Sequence, residues 1–296
     1  MTHRVIHDGQ AGRLSCLAME LPQTTGVPVF AVQRTLQTLE YLAEAEAGVS
    51  VAELCQALGI EKSIASRLLS TLVAGGYVVR VGDGDRFELS LRLIALAFSV
   101  SDRLGFPGVC QPVLHRLSEE TGELAQLAAV ERDRLVFVAN AQGTQRLAIV
   151  PTIGRDVVLH ATASGKAWLA SLATEQAVAA VLHEGLTEVT PRTITRLETL
   201  LEELERVRQQ GYATVEGEFT EGVNAIAVAF GQQRFQHAVG AIVLSAPSTR
   251  FATDRMTEMV PIVRAAAGEL EAVWPHDVAR VALDPQSAAR RGGRRK

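Results

Sequence analysis

The sequence has little cysteine, and its cysteines are not spaced as metal ligands are. The 296 residues hold three, Cys16, Cys55 and Cys110, with no CxxC pair. An odd number of widely spaced cysteines favours neither a disulfide framework nor a cysteine-based zinc site. We interpret them as buried or inert thiols, because cysteine prefers protein interiors, and we expect no metal and no cofactor.

Long hydrophobic runs are also lacking. The longest apolar runs, around residues 93–100 and 225–230, are far shorter than the about 18 residues that a membrane span needs. Residues 1–20 have no apolar signal-peptide core. We therefore expect a cytoplasmic protein with no membrane partner. The net charge of −4 excludes a basic coat over the whole protein, so binding to nucleic acid requires a local patch.

The chain is long enough for about two domains of roughly 150 residues each. From about Val29 to Gly105 the pattern is three helices, a hairpin and a fourth helix. Apolar residues three to four apart mark the first helix, which we expect Gly48 to close. Ser50 and Glu53 form a capping box at the start of the second helix, and Gly59 ends it.

A third helix follows after a short turn, so the second and third helices predict a helix-turn-helix. Its inner face is apolar: Ile64, Ala65, Leu68, Leu69 and Leu72. Strands over 77–81 and 86–89, around a Gly-Asp turn, predict a hairpin that completes a winged helix. The next helix, over residues 90–103, is strongly apolar for a surface helix, and a second subunit is a good candidate to cover it.

The outer face of the third helix is polar, as a helix that reads DNA requires. Its polar residues are Lys62, Ser63, Ser66, Arg67 and Ser70, of which Lys62, Ser66 and Arg67 are the best contacts. Arg80 and Arg86 bracket the hairpin tip, where cations reach phosphates or the minor groove. An ordinary solvated face remains the alternative, and residues 28–104 carry a formal net charge of −2. We therefore expect specificity from a dimer that reads two half-sites about 34 Å apart or a multiple of it.

Residues from about 107 to 274 alternate helices with strands, as in a mixed α+β domain. We expect strands at 125–130, 135–139, 147–150, 225–230 and 239–245, the last two forming an antiparallel hairpin, and a helix at 195–210. Alanines alternate with large apolar residues over 225–230. One face of that strand therefore leaves room for a ligand or for a packed helix.

The Ser164-Gly165-Lys166 segment does not fit two catalytic patterns that it resembles. A phosphate-binding loop needs an earlier glycine and a following hydroxyl residue, and a Ser-Lys nucleophile pair is usually three residues apart rather than two. Small residues at 161–165 open a helix whose free N–H groups suit an anion. Close packing of helix on sheet is the alternative. His160 has no second His or Cys at a ligand spacing, so we interpret it as structural.

Four segments carry a resemblance to a known family. The sequence TLQTLEYLAEAEAGVSVAELCQALGIEKSIASRLLSTLVAGGYVVR (35–80) resembles the DNA-binding domain of the IclR family of bacterial transcriptional regulators. GRDVVLHATASGKAWLA (154–170), QQGYATVEGEFTEGVNAIAVAF (209–230) and GAIVLSAPSTR (240–250) resemble that family's second domain, in the same order. Glu61, Ile64 and Val158 depart from the family's usual proline, threonine and proline. The first two lie at the start of the reading helix, so the operator sequence cannot be carried over from relatives.

The resemblance implies an α+β protein with an N-terminal winged helix-turn-helix domain, a linker helix and a C-terminal GAF-like mixed α/β effector-binding domain. It also implies a dimer or a tetramer built from dimers. The positions that match the family's effector pocket are Leu147, Ala163, Ser164, Val215, Glu216, Val223, Ala225, Val243 and Ser245. For Glu216, which belongs to an acidic cluster with Glu218 and Glu221, a solvated loop is the alternative.

We therefore predict five segments: a flexible arm (1–27), the winged helix-turn-helix domain (28–89), a linker helix (90–105), the effector-binding domain (106–275) and a basic disordered tail (276–296). The protein is interpreted as a regulator that binds double-stranded operator DNA as a homo-oligomer and responds to a small organic effector, one that carries a carboxylate, and not as an enzyme. The alternatives are an enzyme whose helix-turn-helix only mediates assembly and a DNA-binding structural protein that senses nothing.

Overall fold

The computed structural model describes residues 29–278 except for 46, 84, 133, 152, 153, 155, 236 and 277. The predicted arm, and the predicted tail apart from residues 276 and 278, lie outside these residues. The chain divides into two compact units between Ser101 and Asp102. No single helix among the described residues is long and apolar enough to cross a membrane; one bent pair, Leu91–Arg103 with Gly108–Thr121, reaches that threshold by length and composition alone.

The first unit is a winged helix-turn-helix, as predicted. Its helices are α1 (Phe30–Glu44), α2 (Val51–Leu58) and α3 (Lys62–Ala74), and α4 (Leu91–Leu104) carries the chain on toward the second unit. The strands β1 (Val49–Ser50), β2 (Val78–Val81) and β3 (Arg86–Leu89) form an antiparallel sheet in the order β1-β3-β2.

Local capping determines where these helices begin and end. The Ser50 hydroxyl accepts a hydrogen bond from the Glu53 N–H at 3.2 Å, and the Glu53 carboxylate accepts one from the Ser50 N–H at 2.7 Å. The predicted capping box is thus confirmed, and such a cap stabilises a helix by about 1 kcal/mol. The expected end of the first helix was wrong: α1 ends at Glu44, and Gly48 instead takes a positive φ of 68° in the turn before β1.

The second unit is a mixed α/β domain. Its helices are α5 (Gln111–Thr121), α6 (Ala163–Ser171), α7 (Thr174–Glu184), α8 (Leu197–Gln210), α9 (Gln232–Phe235) and α10 (Thr253–Val273). Its strands are β4 (Leu124–Glu131), β5 (Arg134–Ala141), β6 (Ala213–Glu216), β7 (Val223–Phe230) and β8 (Gly240–Pro247). They form one antiparallel sheet in the order β5-β4-β8-β7-β6. The predicted hairpin of β7 and β8 is confirmed.

The two faces of this sheet are covered by different helices. Large residues of β7, such as Ile226 and Phe230, belong to the core that includes residues of α5 and α10. Ala225 and Ala227 belong to the opposite core, with Ala163 of α6 and residues of α7 and α8. A packed helix, α6, therefore contributes to covering the alanine side of β7, which is one of the two alternatives that the sequence left open.

The strand expected at Leu147–Val150 was wrong. Residues 142–151, which we call the strap, follow the edge strand β5 and have no regular secondary structure. Leu147 and Ile149 are half-buried and Val150 is exposed. The apolar run predicted a strand, but the Leu147 carbonyl accepts a hydrogen bond from the Arg250 side chain at 2.8 Å, so it is satisfied by a side chain and not by a neighbouring strand.

Candidate DNA-binding and effector sites

The outer face of α3 is solvent-accessible along its length. Every residue predicted to contact DNA from this helix is exposed: Lys62, Ser63, Ser66, Arg67 and Ser70. On the opposite side Ala65 and Leu69 are completely buried, and this packing fixes the rotation of the helix about its axis. The helix therefore presents two cations and three hydroxyls together, which is the donor set that reads base edges and phosphates in a major groove.

The two arginines of the wing differ in what they contact. Arg80 is exposed, and its guanidinium lies 5.2 Å from the centre of the Phe87 ring. Arg86 instead donates hydrogen bonds to the carbonyls of Ala47 at 2.8 Å and Gly48 at 2.7 Å. It also pairs with Glu53 at 3.2 Å. Because Arg86 ties β3 to the turn before α2, its cation is already engaged within the unit.

Large apolar side chains remain exposed on α1 and α4. On α4 the exposed fractions of Leu91 and Phe98 are 78% and 63%, and on α1 those of Phe30 and Val32 are 54% and 56%. Several large exposed apolar residues on one helix are characteristic of a surface that another protein covers.

The start of α6 is tightly packed against the chain that leads into it. The Thr162 hydroxyl accepts a hydrogen bond from the Gly165 N–H at 3.1 Å and so caps the helix. A Cβ atom on Gly165 would lie only 2.2 Å from the Leu159 carbonyl oxygen, so no other residue fits there. The Ser164 side chain is buried, and its hydroxyl has no hydrogen-bond partner within the described part of the chain. A buried hydroxyl without a partner is costly, unless a ligand or a water molecule satisfies it.

The structure brings together six of the nine predicted effector residues beside α6. Val215, Ala225 and Val243 lie in the same core cluster as Ala163, whose neighbour along the helix is Ser164. Ser245 lies beside Ala225 on the adjacent strand and lines a narrow cavity beneath the strap.

The other predicted residues lie further from this group. Val223 pairs with Pro247 at the end of the β7–β8 ladder, and Leu147 lies on the strap. The Glu216 carboxylate accepts a hydrogen bond from the Thr253 hydroxyl at the start of α10. Because α10 covers the other face of the sheet, this contact directs the Glu216 side chain away from α6.

Comparison with known proteins gives the identity of both units. A model of the bacterial transcriptional regulator IclR C-terminal domain matches residues 98–272, and a model of the IclR helix-turn-helix domain matches residues 31–82. The chain belongs to the IclR family. The family's named members are transcriptional regulators, so this chain is a DNA-binding regulator with an effector-binding domain and not an enzyme.

Individual IclR-family proteins resemble the chain over most of its length. The transcriptional repressor IclR of Escherichia coli K12 is 30% identical over 245 residues, which cover 82% of this chain and 89% of the repressor. The structure of an IclR transcriptional regulator from Silicibacter sp. TM1040 has a TM-score of 0.67 at 28% identity and covers 86% of this chain and 97% of that one. The inducer-binding domain of a PobR double mutant from Acinetobacter, solved with 3-hydroxybenzoic acid, has a TM-score of 0.51 at 30% identity and covers 56% and 97% of the two chains.

Two charged contacts of this IclR-family domain were not predicted from the sequence. The Lys166 ammonium is 2.6 Å from a Glu218 carboxylate oxygen, and the lysine side chain is 1% exposed. Burial raises the pKa of Glu218, and the charge of Lys166 opposes that shift. The sequence contained a signal for this pair, because Lys166 follows small residues inside an apolar segment, where a lysine needs a partner.

The second contact joins Arg250 to Glu123 with two short hydrogen bonds, at 2.6 and 2.7 Å. These residues are 127 positions apart, so no local pattern connects them. Together with Ser245 and the strap they line the narrow cavity. Among the described residues no group of three or more His, Cys, Asp or Glu side chains is placed to hold a metal ion.

Proposed function

We propose that this protein binds paired operator half-sites as a homodimer or a dimer of dimers in the cytoplasm, and that a small organic effector with a carboxylate group controls its binding. The exposed polar face of α3 is the observation that carries the DNA-binding part of this proposal. Lys62, Ser66 and Arg67 are proposed to contact DNA through the major groove, with Ser63 and Ser70 beside them. Arg80 is proposed to reach the backbone from the wing.

Arg86 has a smaller part in the proposal than the sequence suggested. Its guanidinium already contacts Ala47, Gly48 and Glu53, so reaching a phosphate would require breaking those bonds. We propose that it stabilises the wing instead.

The proposed dimer rests on the apolar surfaces of α1 and α4. A monomer would leave Leu91, Ile94 and Phe98 more than half exposed in water. Burying them against a second copy would stabilise the dimer by about 25 cal/mol for each Å² of apolar surface removed from water. A dimer also supplies the two α3 helices that a pair of half-sites needs. The net charge of −2 over residues 28–104 makes one unit a weak binder by itself.

The proposed effector site lies at the start of α6. The buried Ser164 hydroxyl supplies an unsatisfied donor, the helix N-terminus favours negative charge, and Ala163, Ala225 and Val243 supply an apolar wall. The PobR inducer-binding domain, which resembles this unit, was solved with an aromatic carboxylic acid. Glu216 contacts Thr253 and is the least supported member of the predicted set.

DNA capture followed by footprinting tests the operator-binding part. Genomic DNA retained by the protein is sequenced, and the enriched site is footprinted with the parent, Lys62→Ala, Arg67→Ala and, as a control, Arg196→Ala. Arg196 is an exposed cation of the other unit, with a side chain 77% exposed, so the control matches the loss of charge. We expect both α3 variants to lose protection at moderate salt without a change in melting temperature, and the control to keep it. Footprints of both α3 variants that match the parent would show the assignment to be wrong.

A substitution at Ala163 tests the effector-binding part. A library of small carboxylates is screened by thermal shift, and the affinity of each hit is measured by calorimetry for the parent and for Ala163→Trp. Ala163 is 1% exposed, so an indole there would fill the proposed site. We expect effector affinity to be lost while operator binding persists. Unchanged effector affinity in a folded Ala163→Trp protein would refute this placement.

A further inference from the structure

One side chain fastens the strap to the rest of the effector-binding unit. Arg250 follows β8, and its Nη2 donates one hydrogen bond to the Leu147 carbonyl at 2.8 Å. The same guanidinium is oriented by Glu123, which accepts bonds from its Nε at 2.6 Å and its Nη2 at 2.7 Å. The side chain of Glu123 is 11% exposed and that of Arg250 is 28% exposed, so the pair is partly shielded from water. Charge-assisted bidentate contacts of this kind are the strongest hydrogen bonds that side chains make.

The strap also fits closely against the turn that carries Glu123. A Cβ atom on Gly143 would lie 2.1 Å from the carbonyl oxygen of Gly122, so the two backbones touch at a point where only glycine fits. Gly122 itself takes a positive φ of 76°. The strap therefore has two attachments to this turn, one polar through Arg250 and one steric through Gly143.

The strap that these attachments hold covers the part of β8 that carries Ser245, one of the predicted effector residues. The cavity beneath the strap is lined by strap residues such as Ala148 and Ile149, by Ser245 of β8 and by the Glu123–Arg250 pair. Among the described residues, this cavity is too narrow to hold a water molecule. A carboxylate effector that reaches Ser245 from this side must therefore displace the strap first.

We propose that Arg250 and Glu123 form a latch that holds the strap closed over the Ser245 side of the effector site, so that a ligand enters only when the strap is released. The proposal rests on the proposed function for the location of the effector. Arg250 is here a positioning residue, because it acts through the backbone of Leu147. Glu123 holds the guanidinium in the orientation that this contact needs.

Access to position 245 tests the latch directly. Ser245→Cys is introduced into a full-length protein carrying Cys16→Ser and Cys55→Ala, and its thiol is modified with 5,5′-dithiobis(2-nitrobenzoate), an aromatic carboxylate probe. Cys110 stays in place, because it is buried and burial raises the pKa of its thiol to about 12. The rate is then compared after adding Glu123→Gln or, as a matched control, Glu131→Gln. Glu131 is the last residue of β4, the strand that follows Glu123, and it pairs with Arg134 on the surface.

We expect the thiol at position 245 to be modified slowly in the starting protein with Ser245→Cys. Adding Glu123→Gln should raise this rate about tenfold or more, and adding Glu131→Gln should not change it. Equal modification rates with and without Glu123→Gln would overturn the proposed latch, and so would rapid modification of the starting protein with Ser245→Cys. Gly143→Ala should raise the rate as well, because it pushes the strap from Gly122 without altering charge.

Hydrogen exchange of the unmodified protein separates a local latch from a general loss of structure. In Glu123→Gln the amides of the strap should exchange faster, while those of β7 keep the parent rate. Faster exchange throughout the unit, or none in the strap, would overturn the proposal. Neither measurement uses an effector, so a wrong effector site, revealed by unchanged affinity in Ala163→Trp, is distinguishable from a wrong latch.

Discussion

The Lys166 ammonium and the Glu218 carboxylate form an ion pair of 2.6 Å at a lysine whose side chain is 1% exposed. Glu218 belongs to the turn between β6 and β7, whose backbone is held by hydroxyls: Thr190 donates to the Gly217 carbonyl at 2.8 Å and Thr193 to the Glu218 carbonyl at 2.7 Å. The pair thus ties the middle of α6 to this turn. A charge buried in this way stabilises the fold only while its partner is present.

Removing the Glu218 carboxylate should destabilise the protein more than removing the Lys166 ammonium. We expect Glu218→Gln to lower the free energy of unfolding by about 3 kcal/mol, because it leaves Lys166 buried and unpaired. Lys166→Met should cost less, since Glu218 is 13% exposed and its raised pKa eases uptake of a proton. Urea denaturation measures both. Glu258→Gln, which removes a surface pair with Arg255, is the control and should change stability by less than about 1 kcal/mol. Equal, small losses for all three variants would contradict this.

His160 should make the protein less stable in mild acid. Its side chain is buried, its Nε2 lies 2.9 Å from the Thr187 carbonyl, and burial, with a smaller effect of Lys166, lowers its pKa below 6.5. The unfolded chain therefore takes up a proton first, and stability is lost as the pH falls from about 6.5 toward the lower pKa of the folded state. We expect His160→Gln to reduce the slope of melting temperature against pH between pH 7 and pH 5.5. His183→Gln, at an exposed position of α7, should leave the slope as it is; an unchanged slope in His160→Gln as well would refute the assignment.

A single methyl group at position 165 should disrupt the effector-binding unit. In Gly165→Ala the Cβ would meet the Leu159 carbonyl oxygen at 2.2 Å and its Cα at 2.5 Å, and both atoms belong to the backbone. We expect a loss of several kcal/mol, of the order of the largest single-residue effects. Gly268→Ala in α10 is the matched control, because its Cβ would meet nothing within 4 Å, and it should stabilise the helix by about 0.5–1 kcal/mol. Thermal melts that show similar small shifts for both variants would contradict the close packing.

The two arginines of the wing should separate into DNA contact and structural support. Arg80→Ala is expected to weaken operator binding evenly across sequences and to reduce the slope of log K against log salt by about 1, while it lowers stability by no more than about 1 kcal/mol through the lost contact with Phe87. Arg86→Ala should destabilise the first unit by about 1–2 kcal/mol, because three hydrogen-bond acceptors lose a charged donor. Salt titrations and thermal melts of both variants check this, and a salt slope that changes for Arg86→Ala but not for Arg80→Ala would reverse the assignment.

The elements that the sequence predicted well are those with local chemical signals. Ser50 with Glu53 marked the start of α2, and Gly59 marked its end through a left-handed conformation with a φ of 60°. The alternation of alanine with large residues in β7 predicted two different faces, and the structure covers each with different helices. These signals depend on neighbours within four residues, which is why one sequence is enough to read them.

The features that the sequence could not predict depend on distant partners. The strap resembled a strand because of its apolar run, but Arg250, about a hundred residues later, binds its backbone. Arg86 looked like a free cation until the fold brought the carbonyls of Ala47 and Gly48 to it. Glu216 was assigned to the effector pocket by resemblance, whereas its contact with Thr253 became visible only with α10 in place.

Ligand binding and operator binding should be coupled in this protein, and one binding measurement tests this coupling. The operator dissociation constant is measured by fluorescence anisotropy at fixed salt, with and without a saturating carboxylate identified by thermal shift, for the parent and for Ala163→Trp. We expect a change of about 5- to 150-fold in the parent and none in Ala163→Trp. A parent protein whose operator affinity is the same with and without the bound carboxylate would contradict it.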